Sequence, residues 1–161
     1  MMGLAKDSSL KITVIVSKAG EQVLRLYKLW DTLKHAFDKV LVETNSNVPF
    51  IAGPLQVGKY DVLVVAPLTA NSTAKIAHGI ADTLITNAVA QTLKGSTPVI
   101  LYPVDQSNKP VKTVGPDGVK FTITPRQIDL ENVDRLQDMN GVVILDSPAQ
   151  MVQTIRNHIE R

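Results

Sequence analysis

Residues 60–95 read YDVLVVAPLTANSTAKIAHGIADTLITNAVAQTLKG, and the change of period inside them decides the fold. Tyr60 to Pro67 is apolar on both faces, the mark of a strand buried in a sheet with both sides covered. Beyond it the spacing becomes helical but is interrupted at Gly79. This predicts a short helix from about Ser72 to His78 and a second from about Asp82 to Leu93, with Gly95 closing it. A buried strand that runs directly into a helix is the repeating unit of a parallel sheet.

The flanking sequence repeats the pattern. Upstream, Leu10 to Val16 (LKITVIV) is a β-branched run that ends at Ser17. Val23, Leu26, Tyr27, Trp30, Leu33 and Phe37 then follow at steps of three and four, lining one face of a single helix. A short apolar run at Val40 to Val42 precedes a polar stretch, Glu43 to Lys59, that reads as a loop with little regular structure of its own and of a length that is often functional. Downstream, Thr97 to Leu101 is a strand. Val111 to Thr124 carries GPDG at Gly115 to Gly118 between two alternating segments, which predicts a projecting β-hairpin. Thr124 and Pro125 read as N-cap and first residue of a helix bearing Ile128, Val133 and Leu136, stopped by Asn140 and Gly141. Gly141 to Leu145 is the last strand. Ser147 and Pro148 repeat the capping device before a terminal helix with Met151, Val152, Ile155 and Ile159 on its apolar side. No internal repeat or linker divides the chain. The expected class is α/β: one domain over residues 1–161, a three-layer sandwich with a mostly parallel sheet and a projecting hairpin.

At 161 residues, 44% hydrophobic and 20% charged, the chain can bury a substantial core. The net charge is only +2, from 17 Lys and Arg against 15 Asp and Glu, with no dense basic run, so the footprint of a nucleic-acid binder is missing. Zero cysteines exclude disulfides, thiolate metal sites and cysteine nucleophiles, so any redox chemistry comes from a bound cofactor. No leader-like segment and no apolar run of about 18 residues is present, which makes the cytoplasm the expected compartment and a membrane an unexpected partner. His35, His78 and His158 are too scattered for a metal-ligand set, and no Gly-x-Ser-x-Gly elbow supports a serine hydrolase.

Ligands of open α/β sheets sit beyond the carboxyl ends of the strands. Three junctions qualify here. At Ser17 a hydroxyl and a small-residue turn open a helix, able to hold a phosphate or simply to cap. Pro67 to Thr73 places Thr69, Asn71, Ser72 and Thr73 within five residues, a surplus over the one cap a helix needs. That surplus fits either a surface reading polar ligand edges or a solvated loop with a redundant cap. At Gly79 to Thr86, Asp82 and Thr83 restart a helix, with capping again the alternative. His78 lies between the second and third junctions and is the one histidine placed near the candidate cleft.

The segments VIVSKAGEQVLRLYKLW, VLVVAPLTANSTAKIAHGIADTLITNA and TPVILYP resemble the flavoprotein superfamily of flavin-containing decarboxylases and prenyltransferases, and within it the archaeal flavoprotein and dihydromethanopterin reductase branch. The resemblance covers roughly residues 10–146. It implies a Rossmann-like (flavodoxin-like) fold and FMN at a subunit interface of a homotrimer, often assembled further. Ser17 would hold the FMN phosphate; Pro67, Thr69, Asn71, Ser72 and Thr73 would contact the ring and ribityl chain; Asp82, Thr83 and Leu84 match a further cofactor segment. The family's first strand and Gly-rich loop, central in its sheet, have no counterpart ahead of Leu10. The decarboxylase histidine has none in Leu41 to Leu55, and the family's Pro-Ala-Met-Asn motif is replaced by YPVDQ at Tyr102 to Gln106. The resemblance therefore implies an FMN-dependent oxidoreductase or electron carrier, with dihydromethanopterin a candidate acceptor and a ferredoxin or iron–sulfur protein a candidate donor. The competing readings are a flavin-dependent decarboxylase or transferase using Asp105 or His78, and a non-catalytic oligomeric domain without flavin.

Overall fold

A computed structural model of the protein describes residues 9–159. Two parallel ladders carry the architecture. In the first, β1 (Val14–Val16) pairs with β2 (Val40–Val42). In the second, β4 (Val99–Pro103) lies between β3 (Leu63–Leu68) and β7 (Val142–Ile144). Val99, Ile100 and Leu101 on β4 are fully buried because helices cover both faces of that strand. On one side Val99 and Leu101 meet Ile76 of α4 (Ala70–Ala77), Val89 of α5 (Leu84–Thr92) and Leu136 of α6 (Gln127–Gln137). On the other, Ile100 meets Met151 and Ile155 of α7 (Met151–Ile159). This is the three-layer α/β sandwich with a mostly parallel sheet that the sequence predicts. Among the described residues no helix is long and apolar enough to cross a membrane.

The two ladders share their covering layers without being joined. Ile15 of β1 and Leu63 of β3 pack on one cluster, made by Ile51, Leu55, Leu84 and Ala88. Leu10 and Ile12 join Val62 and Val64 on the opposite face. Yet among the described residues no ladder connects β1 to β3, leaving a seam in the middle of the sheet.

Several expected elements are corrected. The single helix over Val23 to Phe37 is two, α1 (Lys18–Leu26) and α2 (Trp30–Ala36). Lys28 adopts a left-handed φ of 57° between them. The Lys28 N–H reaches the Arg25 carbonyl at 3.0 Å and the Leu29 N–H the Leu24 carbonyl at 2.8 Å, a Schellman closure without its usual glycine. The apolar stripe consequently divides. Trp30, Leu33 and Phe37 turn inward, whereas Val23, Leu26 and Tyr27 stay exposed.

The stretch from Glu43 to Lys59 is more ordered than expected, since it contains α3 (Ala52–Gln56), whose Ala52 and Leu55 are buried. Gly95 follows α5 as read, but its need is steric: a Cβ there would overlap the Gln56 carbonyl oxygen. The helix expected to start at Pro125 starts at Gln127 instead. Asp129 sets that boundary by accepting the Arg126 backbone N–H at 2.9 Å and both arms of its guanidinium at 3.0 and 2.7 Å. Ser147 makes no side-chain cap, and a 3-10 turn over Pro148–Gln150 leads into α7. The hairpin is present as read: β5 (Val111–Val114) and β6 (Lys120–Ile123) pair antiparallel, with Gly118 at φ 84° in the turn. The hairpin projects from the sandwich, and the Tyr27 hydroxyl donates to the Val114 carbonyl at 3.1 Å.

Candidate functional site

Parallel pairing brings the ends of β1 and β2 together in one ladder and those of β3 and β4 together in the other. Ser17 follows β1 and caps α1, its Oγ accepting the Gly20 N–H at 2.9 Å. Gly20 is where a side chain would crowd this turn, because a Cβ would stand 3.0 Å from Ser17 Oγ and 3.3 Å from the Val16 side chain. The capping bond uses Ser17 as acceptor, so its hydroxyl hydrogen stays available to an anion.

At the end of β3 the helix begins earlier than expected, at Ala70 rather than Ser72. Thr69 is the cap: its Oγ1 accepts the Ser72 N–H at 3.4 Å and lies 3.4 Å from Ser72 Oγ. Pro67, Thr69 and Asn71 are exposed and Ser72 is half-buried, so these four crowd one open corner. Thr73 differs from all of them. It is only 1% exposed, and its Oγ1 is buried with no hydrogen-bond partner. Buried hydroxyls are nearly always paired, and an orphan at the first turn of a helix calls for a ligand group or water.

Asp82 turns to α4, where both carboxylate oxygens lie 2.8 Å from Lys75 Nζ. That bond, outweighing the partial loss of hydration, holds the Asp82 carboxyl below its ordinary range. Thr83 caps α5 in a reciprocal box with Thr86, the two hydroxyls 2.9 Å apart. Leu84, fully buried, gives its backbone N–H to Glu43 Oε1 at 2.8 Å. The other oxygen of the same carboxylate, Oε2, accepts the Lys18 N–H at 3.1 Å. Glu43 was not a sequence candidate. The only signal was its position as the first polar residue after the Val40 to Val42 run, on the shared carboxyl edge.

The structure therefore brings Ser17, Thr83 and Leu84 together through Glu43. The Pro67 to Thr73 corner neighbours the end of β4, because the Val104 N–H donates to the Leu68 carbonyl at 3.0 Å. Asp105 lies one residue on. Its carboxyl is raised above the ordinary range, chiefly by burial and next by the Asp129 charge, with Arg126 opposing. Asp129 is lowered, first by its bond from Arg126. The signs oppose. Asp129 adds stability above its unfolded pKa that disappears as pH falls through the lower folded value. Asp105 favours the fold in full below its unfolded pKa of about 3.9, and that advantage is lost as pH rises through the higher folded value. Asp105→Asn should therefore raise the melting temperature modestly at pH 7 and leave it unchanged at pH 3; equal shifts at both would contradict this assignment.

His78 closes α4 with its ring engaged: one nitrogen lies 3.1 Å from Asn132 Oδ1 and the other 3.5 Å from Arg135 Nη1. Asn132 is buried, so the histidine ties α4 to α6.

A family model described as Flavoprotein matches residues 2–160. An uncharacterized protein of Methanocaldococcus jannaschii is 46% identical over 160 residues, covering 99% of this chain and 86% of its own length. The dihydromethanopterin reductase (acceptor) of the same organism is 40% identical over 104 residues, covering 60% of this chain and 42% of the reductase. The matched segment thus spans less than half the length of that reductase. Among solved structures, DmrB of Burkholderia xenovorans in complex with FMN, described as a cubic protein cage for redox transfer, matches with a TM-score of 0.81 at 30% identity. That match covers 98% of this chain and 84% of DmrB.

Proposed function

Because this chain belongs to the Flavoprotein family, we propose that it binds FMN and works as a cytoplasmic oxidoreductase or electron carrier. The observation that carries the reading is the buried, unpartnered Thr73 hydroxyl at the start of α4, beside exposed Thr69 and Asn71. An isoalloxazine ring presents carbonyl and ring-nitrogen edges that such groups can pair. When bound, FMN supplies hydride or single-electron transfer, which the side chains of this protein cannot supply themselves. The chain binds and orients. Ser17 and the start of α1 face the phosphate, which would share that helix end with the Glu43 carboxylate already on the Lys18 N–H. Pro67, Thr69, Asn71, Ser72 and Thr73 flank the ring and ribityl chain. Thr83 and Leu84 close the site through the start of α5, with Asp82 kept in place by Lys75.

A reduced pterin of the dihydromethanopterin class is the acceptor we propose, with an iron–sulfur protein or ferredoxin as donor. We propose assembly in trimers or multiples of trimers; α1, an amphipathic helix with no buried side chain in the protomer, supports a contact between copies. We also assign residues 1–161 to one domain; among the described residues its two parallel ladders are not joined between β1 and β3, the central place that the resemblance gives to the family's first strand and Gly-rich loop.

The test is the visible absorption spectrum of the purified protein, before and after adding FMN and removing the excess. Flavin bands retained in proportion to protein are expected. A colourless protein that keeps its oligomeric mass would favour a non-catalytic assembly domain instead.

A further inference from the structure

We infer that Glu43 is the positioning residue of the flavin site, holding the start of α1 and the start of α5 together so that Ser17 and Thr83–Leu84 form one binding surface. The inference rests on the flavin reading and extends it to a residue outside the cofactor motifs. Glu43 follows β2, where its own N–H donates to the Val16 carbonyl at 2.9 Å. From there its carboxylate takes one N–H from each helix, Lys18 at 3.1 Å and Leu84 at 2.8 Å. These partners are 25 and 41 residues away in the chain, so the contact is a long-range tether and not a local cap. Both helix starts carry partial positive charge, which a carboxylate satisfies without a counter-cation. The tether matters most to α1. None of its side chains is fully buried, Leu24 being half-buried, so its first turn has less apolar packing to hold it than that of α5. The starting turn of α5, by contrast, is anchored by buried Leu84 and Thr86. Glu43 thus ties the less buried end of the site to its more buried end.

The two ends can be read separately with FMN and riboflavin, which differ only in the phosphate. In flavin-binding titrations followed by fluorescence, Glu43→Ala should weaken FMN by about 10-fold and riboflavin much less, in line with the loss of a charge-assisted contact pair. Glu43→Gln keeps one acceptor oxygen for two donors and should fall between Glu43→Ala and the parent protein. It also serves where the alanine variant folds poorly. A loss shared equally by both flavins, or an FMN/riboflavin preference that stays fixed, would overturn the inference, since a general weakening of the fold does not discriminate the phosphate. Tighter FMN in either variant would overturn it in the other sense, making Glu43 a charge that opposes the phosphate. If the parent protein binds neither flavin, the flavin reading itself fails and the role of Glu43 falls with it.

Discussion

Leu26→Asp is expected to reduce the proposed assembly to monomers while leaving the protomer folded. Leu26 is 60% exposed in the protomer, next to Val23 and Tyr27 on the same helical face, with Leu29 just beyond the Schellman turn. Single exposed leucines are ordinary, but this is a contiguous patch, and such patches mark contact surfaces. Tyr27 extends it by its bond to Val114 of the hairpin, whose Val111, Val119, Phe121 and Ile123 are also exposed. A two-stranded ribbon in water is marginal without packing, so both features point outward to the same kind of neighbour, a second copy of this chain. Placing an unpaired carboxylate at the centre of that contact costs about 3–5 kcal/mol per interface, equivalent to more than a 100-fold loss of association. Within the protomer the same side chain is already solvated, so the melting transition measured at low concentration should hold. Sedimentation velocity at a fixed concentration reads the mass, and circular dichroism reads the fold. An unchanged mass would remove α1 from the interface; a monomer that has also lost its helicity would mean that the residue stabilises the protomer directly.

What could be read in the sequence follows the range of the interactions involved. The β3–α4–α5 segment was legible because a switch from two-sided burial to helical period is local, and the hairpin because GPDG supplies a turn with Gly118 at positive φ. Helix starts were less exact. Thr69, Asn71, Ser72 and Thr73 can each cap, and which one does depends on where β3 ends against β4, a tertiary matter. At α6 the boundary moved because Asp129 selects Arg126, where Thr124 and Pro125 carried the usual signal. The break at Lys28 gave no signal at all, since a left-handed lysine looks like any other helical residue and the apolar spacing continues across it. The seam and the Glu43 tether were beyond reach for the same reason: strand neighbours and contacts 25 to 41 residues apart depend on assembled layers, which no window of sequence contains. The nine candidate cofactor residues came from the motif resemblance. What the structure adds is their inequality, with Asp82 drawn to Lys75, Thr83 used as a cap and Thr73 left with an unspent hydroxyl.

That hydroxyl yields the sharpest test, because stability and binding should move in opposite directions. Thr73→Val replaces Oγ1 by a methyl of similar size at a site only 1% exposed. In the flavin-free protein the oxygen is buried without a partner, which costs about 1–3 kcal/mol, so the valine variant should be more stable by a large part of that and melt several degrees higher. In the flavin complex the same hydroxyl is the group expected to meet the cofactor, and its loss should weaken FMN by roughly 10- to 100-fold. Few substitutions raise a melting temperature and cost affinity together, and a folding defect cannot imitate the combination. Thr73→Ser supplies the mirror image: it keeps the hydroxyl and drops the methyl, so it should lose stability through the small cavity and retain FMN. Paired thermal melts of the apoprotein and FMN titrations decide the matter. A valine variant less stable than the parent would show that Oγ1 is already satisfied, by a buried water for example. A valine variant more stable and equally avid for FMN would place the cofactor away from α4 and leave the Pro67 to Thr73 corner as a capping structure alone.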